Sequence, residues 1–182
     1  RLGNGTGLQI ADIGCGSGYK LMHQIAPVAP AVTGFDQPFI IEQCQKRYPE
    51  ATWQSLDLDH ETKSAATYDL IVCADVIEHL QDPDVLLRFI KTAAHPQTII
   101  LLSTPERDVL HGVENIAPTN RDHIREWNQA ELTAYVEASG FRVTQVDLVA
   151  TLKPHLSKHY FHFLRKNTGK LRHTMMLTLQ LR

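Results

Sequence analysis

The sequence has little net charge, few cysteines, no long apolar run and no internal repeat, and each shortage removes a class of protein. Its 18 Lys and Arg against 20 Asp and Glu leave a formal charge of -2. The broad basic surface that supplies most nonspecific nucleic-acid affinity is therefore absent, and no nucleic-acid partner is expected. Cys15, Cys44 and Cys73 lie far apart, are odd in number and form no C-x-x-C pair. That excludes disulfide scaffolds and zinc ribbons and fits free buried thiols in a reducing compartment. No apolar stretch approaches the roughly 20 residues of a membrane-spanning helix, and no charged-then-apolar leader opens the chain. The expectation is a soluble, cytoplasmic protein with no membrane partner. Nothing in the sequence specifies an oligomeric state. With 182 residues the chain is near the size of one domain, so 1–182 is read as a single unit able to bury a core without staples.

What is present is an alternation of short apolar runs and helical patterns. Leu8 to Ile13, Ala31 to Phe35, Tyr68 to Ala74 and Thr98 to Leu102 are apolar without polar alternation, as in strands covered on both faces; Ala51 to Leu56 is a weaker strand. Between them, Tyr19 to Ala26 is expected to be helical. Pro38 to Tyr48 places Ile40, Ile41, Cys44 and Tyr48 on one stripe and stops before Pro49. Asp82 reads as an N-cap with Pro83 in the first helical position, and that helix should end near Ala94. Asn128 and Glu131 have capping-box spacing, with Gly140 placed to end the helix. From Thr174 to Arg182 apolar and polar residues alternate strictly, which marks a strand with one wetter face; it is expected to run antiparallel and to pair with Phe141 to Val149. Strand followed by helix throughout argues for a doubly wound α/β sheet.

The most informative segment is Asp12-Ile13-Gly14-Cys15-Gly16-Ser17-Gly18, which leads from a strand into a helical pattern. Glycines at alternate positions let backbone amides approach a ligand that a Cβ would push away, and the helix that follows points its positive end at the same place. Asp36 closes the next strand, where a carboxylate can accept hydrogen bonds from both ribose hydroxyls. A pyrophosphate loop of the G-x-G-x-x-G kind needs its third glycine at position 19, which is Tyr19.

This constellation resembles the class I S-adenosylmethionine-dependent methyltransferases, in particular the small-molecule group that includes ubiquinone-pathway O-methyltransferases. The resemblance implies a doubly wound, Rossmann-like, mostly parallel seven-stranded sheet with an antiparallel C-terminal strand and helices on both faces. It implies S-adenosyl-L-methionine as cofactor and methyl transfer to an oxygen or nitrogen of a small-molecule acceptor. Asp12, Gly14, Cys15, Gly16 and Gly18 would surround the methionine end, Asp36 with Gln37 the ribose, and Asp57 the adenine amino group, with Leu58 packed on the ring. Asp75, in Asp75-Val76-Ile77-Glu78-His79, belongs to the motif after the fourth strand. The structural alternatives are loop-capping carboxylates at Asp36 and Asp57 and a helix cap at Asp75. The family's acceptor-covering helices precede the first strand, which here begins within about eight positions of Arg1, so a capping segment is expected to be missing.

Base candidates are few. Ser103-Thr104-Pro105-Glu106-Arg107-Asp108 and His123-Ile124-Arg125-Glu126-Trp127 resemble stretches near the acceptor pocket of the small-molecule group. His123 is the first choice for a base or acceptor contact; the alternative is a loop residue tethering the Asn128 helix, with Trp127 as a hydrophobic staple. His79 is the second, against a histidine packed under the sheet edge. His155, His159 and His162 would align on a helix, but no nearby carboxylate completes a ligand set, so a polar face is preferred and no metal is expected. The basic stretch from Lys153 to Arg172 reads as a solvated face or as a greeting for an acidic acceptor. A non-catalytic cofactor-binding scaffold and an NAD-dependent oxidoreductase are the competing readings, the latter disfavoured by the glycine spacing.

Overall fold

The computed structural model describes residues 7–29, 31–60, 63–118, 120–150 and 172–182. The stretch containing His155, His159, His162 and five of the six basic residues between Lys153 and Arg172 lies outside them. Among the described residues seven strands form one sheet: β1 (Gln9–Ile13), β2 (Ala31–Asp36), β3 (Thr52–Ser55), β4 (Tyr68–Ala74), β5 (Ala94–Pro105), β6 (Phe141–Ala150) and β7 (Arg172–Leu181). Their order is β3-β2-β1-β4-β5-β7-β6, parallel from β3 to β5, with β7 antiparallel to both its neighbours. Helices α1 (Pro38–Arg47), α2 (Pro83–Ala93), α3 (Arg107–His111) and α4 (Gln129–Ala138) complete the layers. Among the described residues no helix is long and apolar enough to cross a membrane.

Buried apolar residues fall into two clusters. Consecutive residues of β1 separate between them, Ile10 into one and Ala11 into the other, so each cluster covers one face of the sheet. Ile10, Leu21, Ile41, Cys44 and Trp53 pack the face under α1. The larger cluster gathers Ile71, Leu86, Ile90, Leu132 and Phe141 beneath α2 and α4. A sheet covered on both faces needs strands apolar throughout, which is why β1, β2 and β4 lack alternation. On β7, Met175, Leu177 and Leu179 are fully buried in the larger cluster, while Met176, Thr178 and Gln180 on the other face are half-buried.

Several local expectations hold by the mechanism that motivated them. The Asp82 side chain accepts the Asp84 N–H and Pro83 opens α2. At α4 both arms of the capping box form, Asn128 to the Glu131 N–H and Glu131 back to the Asn128 N–H. Others are corrected. The helix expected over 19–26 is a short segment whose Leu21–Ile25 turn is wound one residue wide, the Ala26 N–H donating to the Leu21 carbonyl at 2.8 Å. β5 starts at Ala94, directly out of α2, four residues earlier than the apolar run suggested. β7 pairs with β6 as expected; it pairs with β5 as well, a contact the sequence reading did not specify, and so lies between them. Asp75 caps no helix; the turn Ile77–His79 follows Val76 without a side-chain cap.

Candidate active site

The strand order reverses between β1 and β4, and the crevice outside the carboxyl ends at such a switch point is where this architecture holds ligands. A cleft of about 310 Å³ opens there. All of its lining comes from residues at or just beyond the carboxyl ends of β1 to β4, including Gly14, Asp36, Gln37, Asp57, Leu58, Asp75 and His79. Phe35, Leu56, Asp59, Val76 and Leu80 also line it, and sequence reasoning did not single these out. Asp12, Cys15, Gly16, Gly18 and His123 stand outside the lining.

The glycines of the bend divide their work. Gly14 has φ +76, and a Cβ there would lie 2.2 Å from Val76 Cγ2, so the close approach is to the β4 turn. Gly16 has φ +54 with open space beside it, and its N–H donates to Asp36 Oδ2 at 2.7 Å. Gly18 instead packs: a Cβ there would meet Trp53 at 2.6 Å, and the same indole would meet one on Gly34 at 2.4 Å. Sequence reasoning missed Gly34; a glycine in the middle of a strand is the signal that could have found this approach. Cys15 is buried in the α1-side cluster, where burial raises its thiol pKa well above the ordinary value.

Asp36 is fixed by two backbone donors, Gly16 N–H on Oδ2 and Gln37 N–H at 2.8 Å on Oδ1. Each carboxylate oxygen retains acceptor capacity. Asp12, the penultimate residue of β1, is 7 % exposed, and burial lifts its carboxyl to about 6, with Lys20 opposing the shift and Asp36 adding to it. Asp57 is exposed and held below the ordinary carboxylate range by the Asp59 N–H and by His60. Asp75 has φ +57, a left-handed conformation that aspartate tolerates better than most residues and that concentrates at ligand sites. Its amide donates to the Ser103 carbonyl at 2.9 Å, and the Ser103 hydroxyl donates to Oδ1 at 3.2 Å, tying the β4 turn to β5.

At the rim of the cleft the chain after α3 folds back onto the β4 turn. The N–H groups of Ile124 and Arg125 donate to the Glu78 carbonyl at 2.8 and 3.2 Å, which brings His123 against His79, ring centroids 4.9 Å apart. His79 Nδ1 meets the Asp122 carbonyl at 2.7 Å. His123 Nδ1 meets Glu126 Oε1 at 2.7 Å, and the other oxygen of this buried carboxylate meets His111 Nε2 at 2.8 Å. Asn120 Nδ2 lies 2.9 Å from His123 Nε2. Glu78 is buried, its pKa raised chiefly by burial, with Thr104 donating to Oε2 at 2.9 Å. The sequence brought attention to both histidines but not to their meeting 44 positions apart, nor to Glu126 as the bridge. Trp127 is buried beside Tyr135, ring centroids 4.9 Å apart, so this segment also anchors α4, as the alternative for His123 held.

Residues 1–146 match the family profile described as Methyltransferase domain. The chain is 33 % identical over 139 residues to a Mycolicibacterium smegmatis protein named "Probable S-adenosylmethionine-dependent methyltransferase", covering 76 % of this chain and 53 % of that one. It is 26 % identical over 155 residues to the ubiquinone biosynthesis O-methyltransferase of Coxiella burnetii, covering 77 % and 66 %. The chain thus spans about half to two thirds of the length of these relatives. A crystal structure of an S-adenosylmethionine-dependent methyltransferase from Mesorhizobium loti superposes with a TM-score of 0.71 at 16 % identity, over 98 % of this chain and 93 % of that one, a likeness of fold.

Proposed function

Because this chain belongs to the methyltransferase domain family, we propose that it transfers the methyl group of S-adenosylmethionine to an oxygen or nitrogen of a small-molecule acceptor in the cytoplasm, and that nucleic acid is not its substrate. One observation carries the reading: at the switch point of the sheet, a single cleft gathers Gly14, Asp36, Asp57 and Asp75 at the ends of consecutive parallel strands.

The residues fit an adenosyl sulfonium. Asp36, held by two backbone amides, would accept the two ribose hydroxyls, with Gln37 beside it. Leu58 and the apolar walls at Phe35 and Leu56 would cover an adenine whose amino group Asp57 accepts. The four aspartates that line the cleft, Asp36, Asp57, Asp59 and Asp75, suit a ligand bearing an ammonium and a sulfonium, and oppose a pyrophosphate. Gly14, close against Val76, and Asp12 behind the bend would face the methionine end, whereas Gly18 supports the bend through Trp53.

The cofactor supplies a methyl group already activated by positive sulfur, so the chain's task is alignment, which can be worth about 7 to 11 kcal/mol of barrier. His79 lines the cleft and His123 stands behind it. Both Nδ1 atoms face acceptor oxygens, which places a proton on Nδ1 of each ring; Nε2 is then the atom His79 offers an acceptor, whereas His123 Nε2 already lies 2.9 Å from the Asn120 amide. Incubation with methyl-labelled S-adenosylmethionine and a pool of phenolic, carboxylic and amine metabolites tests the reading. A labelled product that disappears in Asp36→Ala is expected; a chain that binds the cofactor and labels nothing is a scaffold.

A further inference from the structure

β6 ends the sheet, so one row of its amides and carbonyls meets no further strand among the described residues. Such an edge is a template for pairing with another chain, and proteins commonly blunt it with a short strand, a lysine or a proline. β6 uses none of these: Phe141–Ala150 runs for 10 residues without Lys or Pro. Its irregularity is a bulge. Val143 pairs with Leu179 and Gln145 with Thr178, which leaves Thr144 as an extra residue without a place opposite β7.

The bulge decides what this edge can pair with. Side chains alternate along a strand, and residues directly opposite one another in a sheet share a face. A regular strand laid antiparallel on a copy of itself therefore matches faces only between positions separated by an even number. One inserted residue reverses that rule for positions on either side of it. Val143 and Val146 accordingly both pack on the larger apolar cluster. Arg142 and Asp147 sit on the opposite face, across from Gln180 and Met176 of β7.

A twofold axis between Thr144 and Gln145 then opposes Phe141 with Leu148, Arg142 with Asp147 and Val143 with Val146, each pair occurring twice. Within every pair the faces agree, apolar meets apolar, and the charges have opposite sign. An axis through Thr144 or through Gln145 opposes positions of unlike face. Axes between Val143 and Thr144, or between Gln145 and Val146, put Arg142 opposite Gln145 or Val149. Arg142 and Asp147 are the charged residues of β6, and neither has an ion-pair partner among the described residues. Arg142 donates to Gln180 Oε1 at 2.7 Å, and Asp147 accepts from the Gln145 side-chain amide at 2.6 Å.

We infer that β6 is the docking edge for a second copy of this chain, paired antiparallel about a twofold axis between Thr144 and Gln145, with Arg142 of each copy opposite Asp147 of the other. A twofold contact uses the same patch on both copies, so one strand must complement itself, as this one does. Pairing continues the sheet from one copy into the next and covers Val143, Val146 and Leu148, which are partly open at the edge. The cleft lies at the ends of β1 to β4, in the other half of the sheet, so both clefts stay open. The docking edge is independent of the methyl-transfer reading.

The test is sedimentation equilibrium of the full chain over a range of concentrations, with circular dichroism as the check on folding. A monomer–dimer equilibrium is expected. Arg142→Asp and Asp147→Arg should each weaken it about 10- to 100-fold, because each sets like charges opposite one another twice. An equimolar mixture of these two variants restores opposite charges at both places and should regain the dimer, as should the two substitutions combined in one chain. Should either reversal fail to fold, hydrogen exchange of the unaltered chain decides: protection of the amides from 141 to 148 should rise with protein concentration. A chain that stays monomeric, a dimer indifferent to both reversals, a mixture that fails to associate, or protection independent of concentration overturns the inference.

Discussion

At the residue scale, two carboxylates of the bend region have opposite surroundings and should behave oppositely. Asp36 meets backbone amides on both oxygens and faces the cleft. Asp36→Ala is expected to weaken S-adenosylhomocysteine binding by about 1 to 3 kcal/mol through lost charged hydrogen bonds, measured by calorimetry; unchanged affinity would remove Asp36 from the site. Asp12 is buried, and its folded-state pKa of about 6 stands above the ordinary value of 3.8. Between those values the folded chain binds more protons than the unfolded one, so this group makes stability fall as pH rises through about 4 to 6 and adds no further slope above. The whole excursion is at most about 3 kcal/mol. Asp12→Asn should flatten that part of the profile in urea unfolding between pH 4.5 and 7; parallel profiles would show that Asp12 is not the group. Asp36 and Asp57 were legible in the sequence because they end or follow strands, where side chains reach the sheet edge. The backbone grip on Asp36 was not, because a loop amide 20 positions away has no sequence signature.

At the scale of elements, the bend between β1 and the wide turn after it separates space from conformation. Gly14→Ala puts a Cβ at 2.2 Å from Val76 at a left-handed φ, and Val76 is a wall of the cleft. It should cost about 1 to 3 kcal/mol in urea unfolding and also weaken the cofactor. Gly16→Ala meets nothing within 4 Å, so only its φ of +54 resists, about 1 to 2 kcal/mol. Similar losses of cofactor binding in both would contradict this division. At α4, Asn128→Ala removes the cap and should destabilise the chain by about 1 kcal/mol in the same assay. The caps of α2 and α4 and the alternation of β7 could be read from sequence because they are local rules. The start of β5 at Ala94 could not: His95, Pro96 and Gln97 are poor strand formers, and tertiary pairing of Ala94 with Tyr68 overrides them.

At the scale of the molecule, the parallel half of the sheet converges four strand ends on one crevice, and the antiparallel β7, wedged between β5 and β6, completes the sheet beside β5. Succession of strand and helix along the chain suffices to propose the doubly wound class, and the glycine spacing to propose the ligand. The rim could not be foreseen, since Glu78, His79, His123 and Glu126 are assembled by the return of the 107–127 segment onto the β4 turn, a long-range pairing that rests on backbone bonds to the Glu78 carbonyl. The central claim is that the crevice grips an adenosyl sulfonium and not a dinucleotide. Calorimetric titration with S-adenosylmethionine and, separately, NAD tests it most directly: one equivalent of S-adenosylmethionine and no heat from NAD is the expected result, and saturable NAD binding with none of S-adenosylmethionine would contradict it.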